Sequence, residues 1–498
     1  MVKKGFGYYN ILHMLVSGLV LMGMIMQSLA LGYVLPAAQC DLNLSLQQRG
    51  WLSAIPFAAI ILTSYFWGWL ADTRGRRPIM LYSMLLSAIL SVLASFSPEI
   101  ISFAILQFLA AVFTAGSSAV AYTYLGEFNN LRHRDKMVAF GSSFIGIGTV
   151  VLPCISWLIL PLEFNLPIGF LDIYYRPWRL LIVTFAMPFA IATALLWFAP
   201  ESPKYLNASG EPEKALEVVK IMYAANNRAS KDSFEVKSLV VESQTSKSTS
   251  TGFTAILTSM KEQTVPLFKM PFLPWICLLC FVQFGIFAAT NGFYVWFPSI
   301  LNSLANHDGA ETKICDVLDA SRLPAGNATD HVCNDTMNTE AFERSIYIGL
   351  VFSSMYLLVG FLVDFLGKKL ILIVVLGATG LCGVGAHLAY NQQVAVVLFA
   401  IFQMSGACIG LMNAVAVDIF PTKYRAMAVC LGMMFGRMGS MFGSNLIGVF
   451  LEINCGAGFY LFGTNAIFCI TLPNKKRDGK RPNSPTVEPT QIQTHEPV

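Results

Sequence analysis

The sequence predicts an all-α membrane protein: twelve transmembrane helices laid out as two pseudo-symmetric six-helix bundles. Three observations predict it: an apolar composition, twelve apolar stretches long enough to cross a bilayer, and two charged motifs that each occur twice at nearly one interval. Of the 498 residues, 55% are hydrophobic and 12% charged, against about 25% charged in soluble domains. Much of the surface must therefore face something other than water. The net charge of +4 is small, and no nucleic-acid partner is expected.

A crossing takes about 20 mostly apolar residues as helix. Lipid cannot satisfy free backbone groups, so each crossing is expected to be helical. Spans read near 11–36, 50–70, 78–97, 99–125, 137–160 and 178–199, then near 272–300, 344–366, 370–390, 394–418, 424–450 and 456–473. The first follows Lys3 and Lys4 and is longer than the apolar core of a signal peptide. It is read as a retained helix. The domain layout expected is 1–199 and 271–473 as the two bundles, 200–270 as a cytoplasmic linker and 474–498 as a polar tail read as disordered. Within the linker, Glu211 to Lys220 reads as an amphipathic helix.

Charge placement sets the expected orientation, because Lys and Arg of short loops favour the cytoplasm. Arg74, Arg76 and Arg77 follow span two, Arg132, Arg134 and Lys136 span four, Lys368 and Lys369 span eight, and Lys423 and Arg425 span ten. The alternate loops are poor in such residues; Arg49 and the Arg176–Arg179 pair are exceptions. Both termini are thus expected in the cytoplasm. Sequons agree: Asn43 lies in loop 1–2, and Asn327 and Asn334 in loop 7–8, all on the outer side by the charge rule. Cys315 and Cys333 share that outer loop and are a candidate disulfide, since the outer compartment is oxidising. Cys277 and Cys280 form a C-x-x-C inside an apolar span, which reads as packing. No metal site and no cofactor are expected.

The repeat is explicit. Gly68-Trp69-Leu70-Ala71-Asp72-Thr73-Arg74-Gly75-Arg76-Arg77 and Gly360-Phe361-Leu362-Val363-Asp364-Phe365-Leu366-Gly367-Lys368-Lys369 both fit G-x-x-x-D-x-x-G-basic-basic, and their aspartates lie 364 − 72 = 292 apart. Glu127 precedes Arg134 by seven residues, as Asp418 precedes Arg425, at an offset of 418 − 127 = 291. Such parallel duplicated halves occur in transporters.

The Asp72 decapeptide resembles the signature loop of the major facilitator superfamily. Pro200-Glu201-Ser202-Pro203-Lys204-Tyr205-Leu206 is similar to the motif shared by sugar porters, organic-ion transporters and synaptic vesicle glycoproteins. Gly32-Tyr33-Val34-Leu35-Pro36, Tyr122-Thr123-Tyr124-Leu125-Gly126-Glu127-Phe128 and Val295-Trp296-Phe297-Pro298 resemble the synaptic vesicle glycoprotein branch. Departures go with this. Met24 and Gln27 stand where that branch has acids, Gln107 where sugar porters and that branch have Arg, and Pro473-Asn474 replaces a closing P-E-T. Of the sugar porters' double-Gln motif in helix seven only Gln283 and Asn291 remain. The long acidic N-terminal tail and large outer domain of the vesicle glycoproteins are not in this sequence. Neither a sugar nor a monoamine substrate carries over.

The resemblance implies a gating latch on the inner side. Asp72, Arg76 and Arg77 would join Glu127, Arg134 and Glu201 in one network; Asp364, Lys368, Asp418 and Arg425 would form the other. Cavities of this fold are lined mainly by helices one, four, seven and ten, where Gln27, Gln283, Asn291, Gln403, Asn413, Tyr122, Tyr124, Tyr294 and Trp296 are the candidates. The residues themselves point to Arg437. Of 33 Lys and Arg residues it alone lies deep in a span, and none of the 29 acids does. Buried ionisable groups usually face a water-filled pathway, so Arg437 is the leading candidate to attract an anionic solute; the alternative is a structural Arg bonded to backbone carbonyls or to Asn445. The function expected is alternating-access transport of a small organic solute, by facilitated diffusion or exchange rather than proton symport, from a monomer in the plasma membrane or a secretory or synaptic-type vesicle membrane. The alternative is a non-transporting membrane protein acting in trafficking or partner binding. No nucleophile–base set suggests an enzyme.

Overall fold

The structure, a computed structural model, describes residues 6–169, 171–234, 236, 238–239, 261, 264–305, 313–320 and 337–468. Its helices are α1 (Tyr8–Leu29), α2 (Leu31–Ala37), α3 (Leu46–Arg74), α4 (Arg76–Ala94), α5 (Ile100–Glu127), α6 (Leu131–Ile159), α7 (Pro177–Trp197), α8 (Pro203–Ala208), α9 (Pro212–Asn227), α10 (Leu273–Ala305), α11 (Ile314–Ala320), α12 (Thr339–Leu366), α13 (Lys368–Leu388), α14 (Gln392–Gln403), α15 (Cys408–Ile419), α16 (Thr422–Ile453) and α17 (Cys455–Phe468). Each expected span coincides with a helix. The first is α1 with α2; the tenth is α14 and α15, joined by a 3₁₀ turn at Met404–Ala407. Among the described residues, nine helices are long and apolar enough to cross a membrane by length and composition.

The charged repeat shapes the backbone. Gly75 and Gly367 adopt φ of +103° and +77°, values that L side chains rarely take. Each sharply ends one span and starts the next, so α3 turns into α4 as α12 turns into α13. Two six-helix bundles result, α1–α7 and α10–α17. Between them α8 and α9 carry the linker, with Pro203 and Pro212 at first helical positions, where a missing N–H costs nothing. A short hairpin, Leu166–Ile168 against Ile173–Tyr175, fills the loop before α7.

Glycines set how closely helices approach. On α16, a side chain at Gly439 or Gly443 would meet the α10 backbone at Phe284 and Ala288. Small residues at such crossings are the usual membrane solution. Between the bundles α6 crosses α12, where a Cβ on Gly349 would come within 2.8 Å of the Thr149 carbonyl oxygen, and α3 packs on α16.

The cysteine pairing differs from expectation. Cys315 bonds Cys455, joining α11 to the start of α17 across 140 residues; Cys333 lies outside the described residues. Cys40 is also disulfide-bonded. Sequence spacing favoured the nearer cysteine, whereas folding brings the start of the twelfth span to the same face as loop 7–8. Arg179, an exception to the charge rule, is explained too. It is 2% exposed, pairs with Asp41 at 3.1 Å, and donates to the Ser95 and Ser97 carbonyls at 2.9 and 2.8 Å.

Candidate functional site

On the face where α1 begins and α7 ends, Glu201 accepts the first N–H groups of α4. Its carboxylate oxygens lie 3.2 Å from Arg76 N and 3.2 and 3.1 Å from Arg77 N, with its neighbour Ser202 N at 2.7 Å. A carboxylate at a helix N-terminus meets unsatisfied donors and the positive dipole end. Burial nevertheless pushes the Glu201 carboxyl above its ordinary value, more than these backbone N–H groups and Arg76 pull it down. Arg76 turns its side chain to Glu127 at 3.3 Å and lies 4.9 Å over the Tyr205 ring. Arg77 donates to the Leu196 and Trp197 carbonyls at the end of α7, at 3.3 and 2.5 Å. Arg134 lies against Gly126, one residue before Glu127. Arg76, Arg77, Glu127 and Glu201 thus form one network joining α4, α5 and the end of α7 to the linker that begins before α8. In the other half Lys368 reaches the Ala414 carbonyl at 3.5 Å. The side chains of Asp72, Asp364, Asp418 and Arg425 lie outside the described residues, as do Asn327 and Asn334. Asn43 is exposed, in a left-handed conformation with φ of +49°.

Between the halves, Arg437 stands midway along α16 and interacts electrostatically with Tyr122 of α5. It is partly exposed, and among the described residues it has neither a hydrogen bond nor an ion pair. Asn445, the alternative partner, donates instead to the Met441 carbonyl at 2.9 Å. One turn before Arg437, Met433 takes a hydrogen bond on sulfur from Asn413 at 3.3 Å, and Asn413 accepts from Gln283 at 2.9 Å. Gln283, Asn413 and Met433 therefore connect α10, α15 and α16 on the helix face that carries Arg437. Tyr122 adjoins Tyr356 of α12, whose hydroxyl donates to the Gly406 carbonyl at 3.1 Å, inside the 3₁₀ turn. Tyr356 carries no sequence signal beyond being a tyrosine in an apolar run.

Other candidates are spent on helix contacts. Asn291 donates to Ser440 at 3.0 Å and Trp296 to the Ser444 carbonyl at 2.7 Å, both tying α10 to α16. With its amide turned so that nitrogen and oxygen both find partners, Gln403 donates to the Thr290 carbonyl at 2.9 Å and accepts the Tyr294 N–H at 3.3 Å, gripping the α10 backbone beside the 3₁₀ turn. Gln27 donates to Ser91 at 3.1 Å and, with Gln107 and Thr114, lines a cavity of about 10 Å³ between α1, α3 and α5, room for roughly one water. Tyr124 is corrected. It is wholly buried in its own half, its hydroxyl on the Pro200 carbonyl at 2.8 Å, so it packs the bundle instead of lining a cavity.

At the opposite face the halves meet. The Tyr294 hydroxyl donates to the Thr149 carbonyl at 3.3 Å and is hydrogen-bonded with Tyr33, while Gly32 abuts Val295. Arg49, at the start of α3, is 7% exposed. It donates to Gln39 at 3.0 Å and to Ser299 of α10, and its guanidinium lies 5.2 Å over the Trp296 ring. Sequence reading passed over Arg49 as a loop charge.

The family model described as Major Facilitator Superfamily matches residues 15–314 and 345–495. The chain belongs to the major facilitator superfamily. As a superfamily member it is similar to mouse synaptic vesicle glycoprotein 2C, 26% identical over 226 residues, and to human synaptic vesicle glycoprotein 2A, 29% over 215. Those matches take in 45% and 43% of this chain but only 31% and 29% of the relatives, so the chain spans about a third of their length. Among solved structures, the xylose transporter XylE from E. coli, in a partially occluded inward-open conformation, has a TM-score of 0.65. It is 15% identical, and the match covers 93% of this chain and 98% of that one. A bacterial homologue of the human lysosomal transporter Spinster has a TM-score of 0.60 at 13% identity, covering 94% and 95%. These likenesses establish the fold: a membrane-embedded chain built of two six-helix bundles.

Proposed function

We propose that this member carries a small anionic organic solute by alternating access, through facilitated diffusion or exchange rather than proton symport. The observation that carries the reading is Arg437: a cation at mid-span depth, partly exposed between the halves, with no counter-ion among the described residues. A charge held there costs several kcal/mol, and an anionic solute would offset that cost at each visit. At an effective dielectric constant of 20, a carboxylate about 4 Å away contributes roughly 4 kcal/mol. Absence of acids deep in the spans supports exchange over a carboxylate proton relay. In this reading Arg76, Glu127 and Glu201 stiffen the cytoplasmic end of one half, and both termini are cytoplasmic. The protein acts as a monomer in the plasma membrane or a secretory-type vesicle membrane.

A second reading, a non-transporting protein used in trafficking or partner binding, is favoured by the neutral Gln27–Gln107 pair and by the synaptic vesicle relatives. Reconstitution in liposomes separates them. A panel of labelled anions, sugars and amines is tested for uptake, with Arg437→Ala and Asp72→Ala as controls. Uptake confined to anions and lost in Arg437→Ala supports the proposal; no uptake and no solute-induced thermal shift for any member supports the second reading.

A further inference from the structure

The halves close against each other at the face opposite the Glu201 network, and Arg49 sits inside that closure. Its position is unusual in sign. Among the described residues every contact that holds it is uncharged: the Gln39 amide oxygen, the Ser299 hydroxyl and the Trp296 ring. Among the described residues no carboxylate lies within ion-pair range, and its Nε is buried with no acceptor. Gln39 belongs to the same half as Arg49, whereas Ser299 and Trp296 belong to the other. Opening this face therefore breaks the last two contacts and returns the guanidinium to water.

A buried charge loses its hydration, and neutral partners restore only part of it. The cation–ring contact and two hydrogen bonds are favourable, yet one donor stays unmatched and no opposite charge is present among the described residues. Replacing a buried ionised group by an apolar one of similar volume is often neutral or stabilising. Gln39 and Ser299 are only partly buried, so both regain water when Arg49 is removed. Trp296 keeps its own anchor, the Ser444 carbonyl.

We propose that Arg49 loads the closed outer gate toward opening: its desolvation in the closed state is released when the halves part. The element is thus a spring set between the halves at the outer closure. This rests on the alternating-access part of the proposed function and is independent of Arg437 and of the charge of the solute.

The test uses the full chain in lipid nanodiscs, without solute. Spin labels at Gln47 and Gln393, exposed positions on the same face in opposite halves, report the open-to-closed ratio by pulsed dipolar spectroscopy. Arg49→Met is expected to lower that ratio at least tenfold. Arg49→Gln, which keeps polarity and loses charge, should also lower it and carries the test if the Met variant does not fold. Arg49→Lys keeps the charge and should stay within about threefold of wild type. An unchanged or raised ratio in the neutral variants, or a Lys variant that behaves like them, overturns the proposal. Because no solute is present, failure of the anion reading leaves this result unaffected.

Discussion

Glu201 offers a prediction in which two substitutions at one atom group part company. Its carboxylate receives Arg76 N–H at 3.2 Å and Arg77 N–H at 3.1 Å, the first donors of α4. Hydrogen bonds to charged groups contribute about 1.5–3 kcal/mol each, and roughly half that at a partly exposed position. Glu201→Ala, which leaves both donors unmatched, is expected to cost about 2–3 kcal/mol. For a six-helix half of roughly 200 residues that is about 5–10 °C in Tm. Glu201→Gln keeps an acceptor oxygen and sheds the charge. Because burial raises the Glu201 carboxyl, the folded protein holds its proton more tightly than the unfolded chain does. The associated stability is fully present below the ordinary value of 4.5 and is lost as pH rises through the raised folded value. Glu201→Gln should therefore stay within about 1 kcal/mol of wild type at pH 7 and lack the wild-type decline above pH 4.5. Thermal unfolding in detergent across pH 4.5–8 reads both. Equal destabilisation by Gln and Ala would refute the argument, for then the charge, not the acceptor, would be the stabilising part.

Three further outcomes follow from the same geometry. Arg437→Ala should reduce anion uptake at least tenfold, the equivalent of about 1.4 kcal/mol, while Arg437→Lys should retain part of it; uptake kinetics in liposomes check this. Peptide mapping without reductant should find Cys315 joined to Cys455. Reduction removes a cross-link closing 140 residues, worth about 5 kcal/mol by chain entropy, so reductant should lower Tm markedly. Arg179→Ala strips a buried cation from Asp41 and two carbonyls, a loss of about 3–5 kcal/mol. Arg179→Lys should not restore it, because one ammonium cannot reproduce the fork; surface yield and Tm report the outcome.

The spans were legible because bilayer thickness imposes helix lengths that apolar runs display directly. The duplicated Asp72 and Asp364 loops were legible because both turns need a glycine at positive φ, which Gly75 and Gly367 supply. The interrupted tenth span was not, since no proline or polar cluster marks Met404–Ala407; the turn is held from outside, by Tyr356 on Gly406 and by Thr290 on Ser405. Cys455 was missed as the partner of Cys315 because loop proximity in sequence is a poor guide once twelve spans are packed. Tyr124 and Arg49 misled in opposite directions. A tyrosine on a cavity-lining helix turned its hydroxyl to Pro200, and a loop arginine turned inward onto Trp296. Rotation about a helix axis decides both, and a chain with apolar residues on all faces does not record that rotation.

Trans-acceleration tests the central claim most directly. Liposomes preloaded with an anionic solute are diluted into a trace of the labelled solute, and its transient overshoot is followed in wild type and in Arg437→Ala. A single cationic site reached alternately from either side predicts an overshoot in wild type that is absent from Arg437→Ala. An overshoot of equal size in both, or one for neutral solutes only, would contradict it.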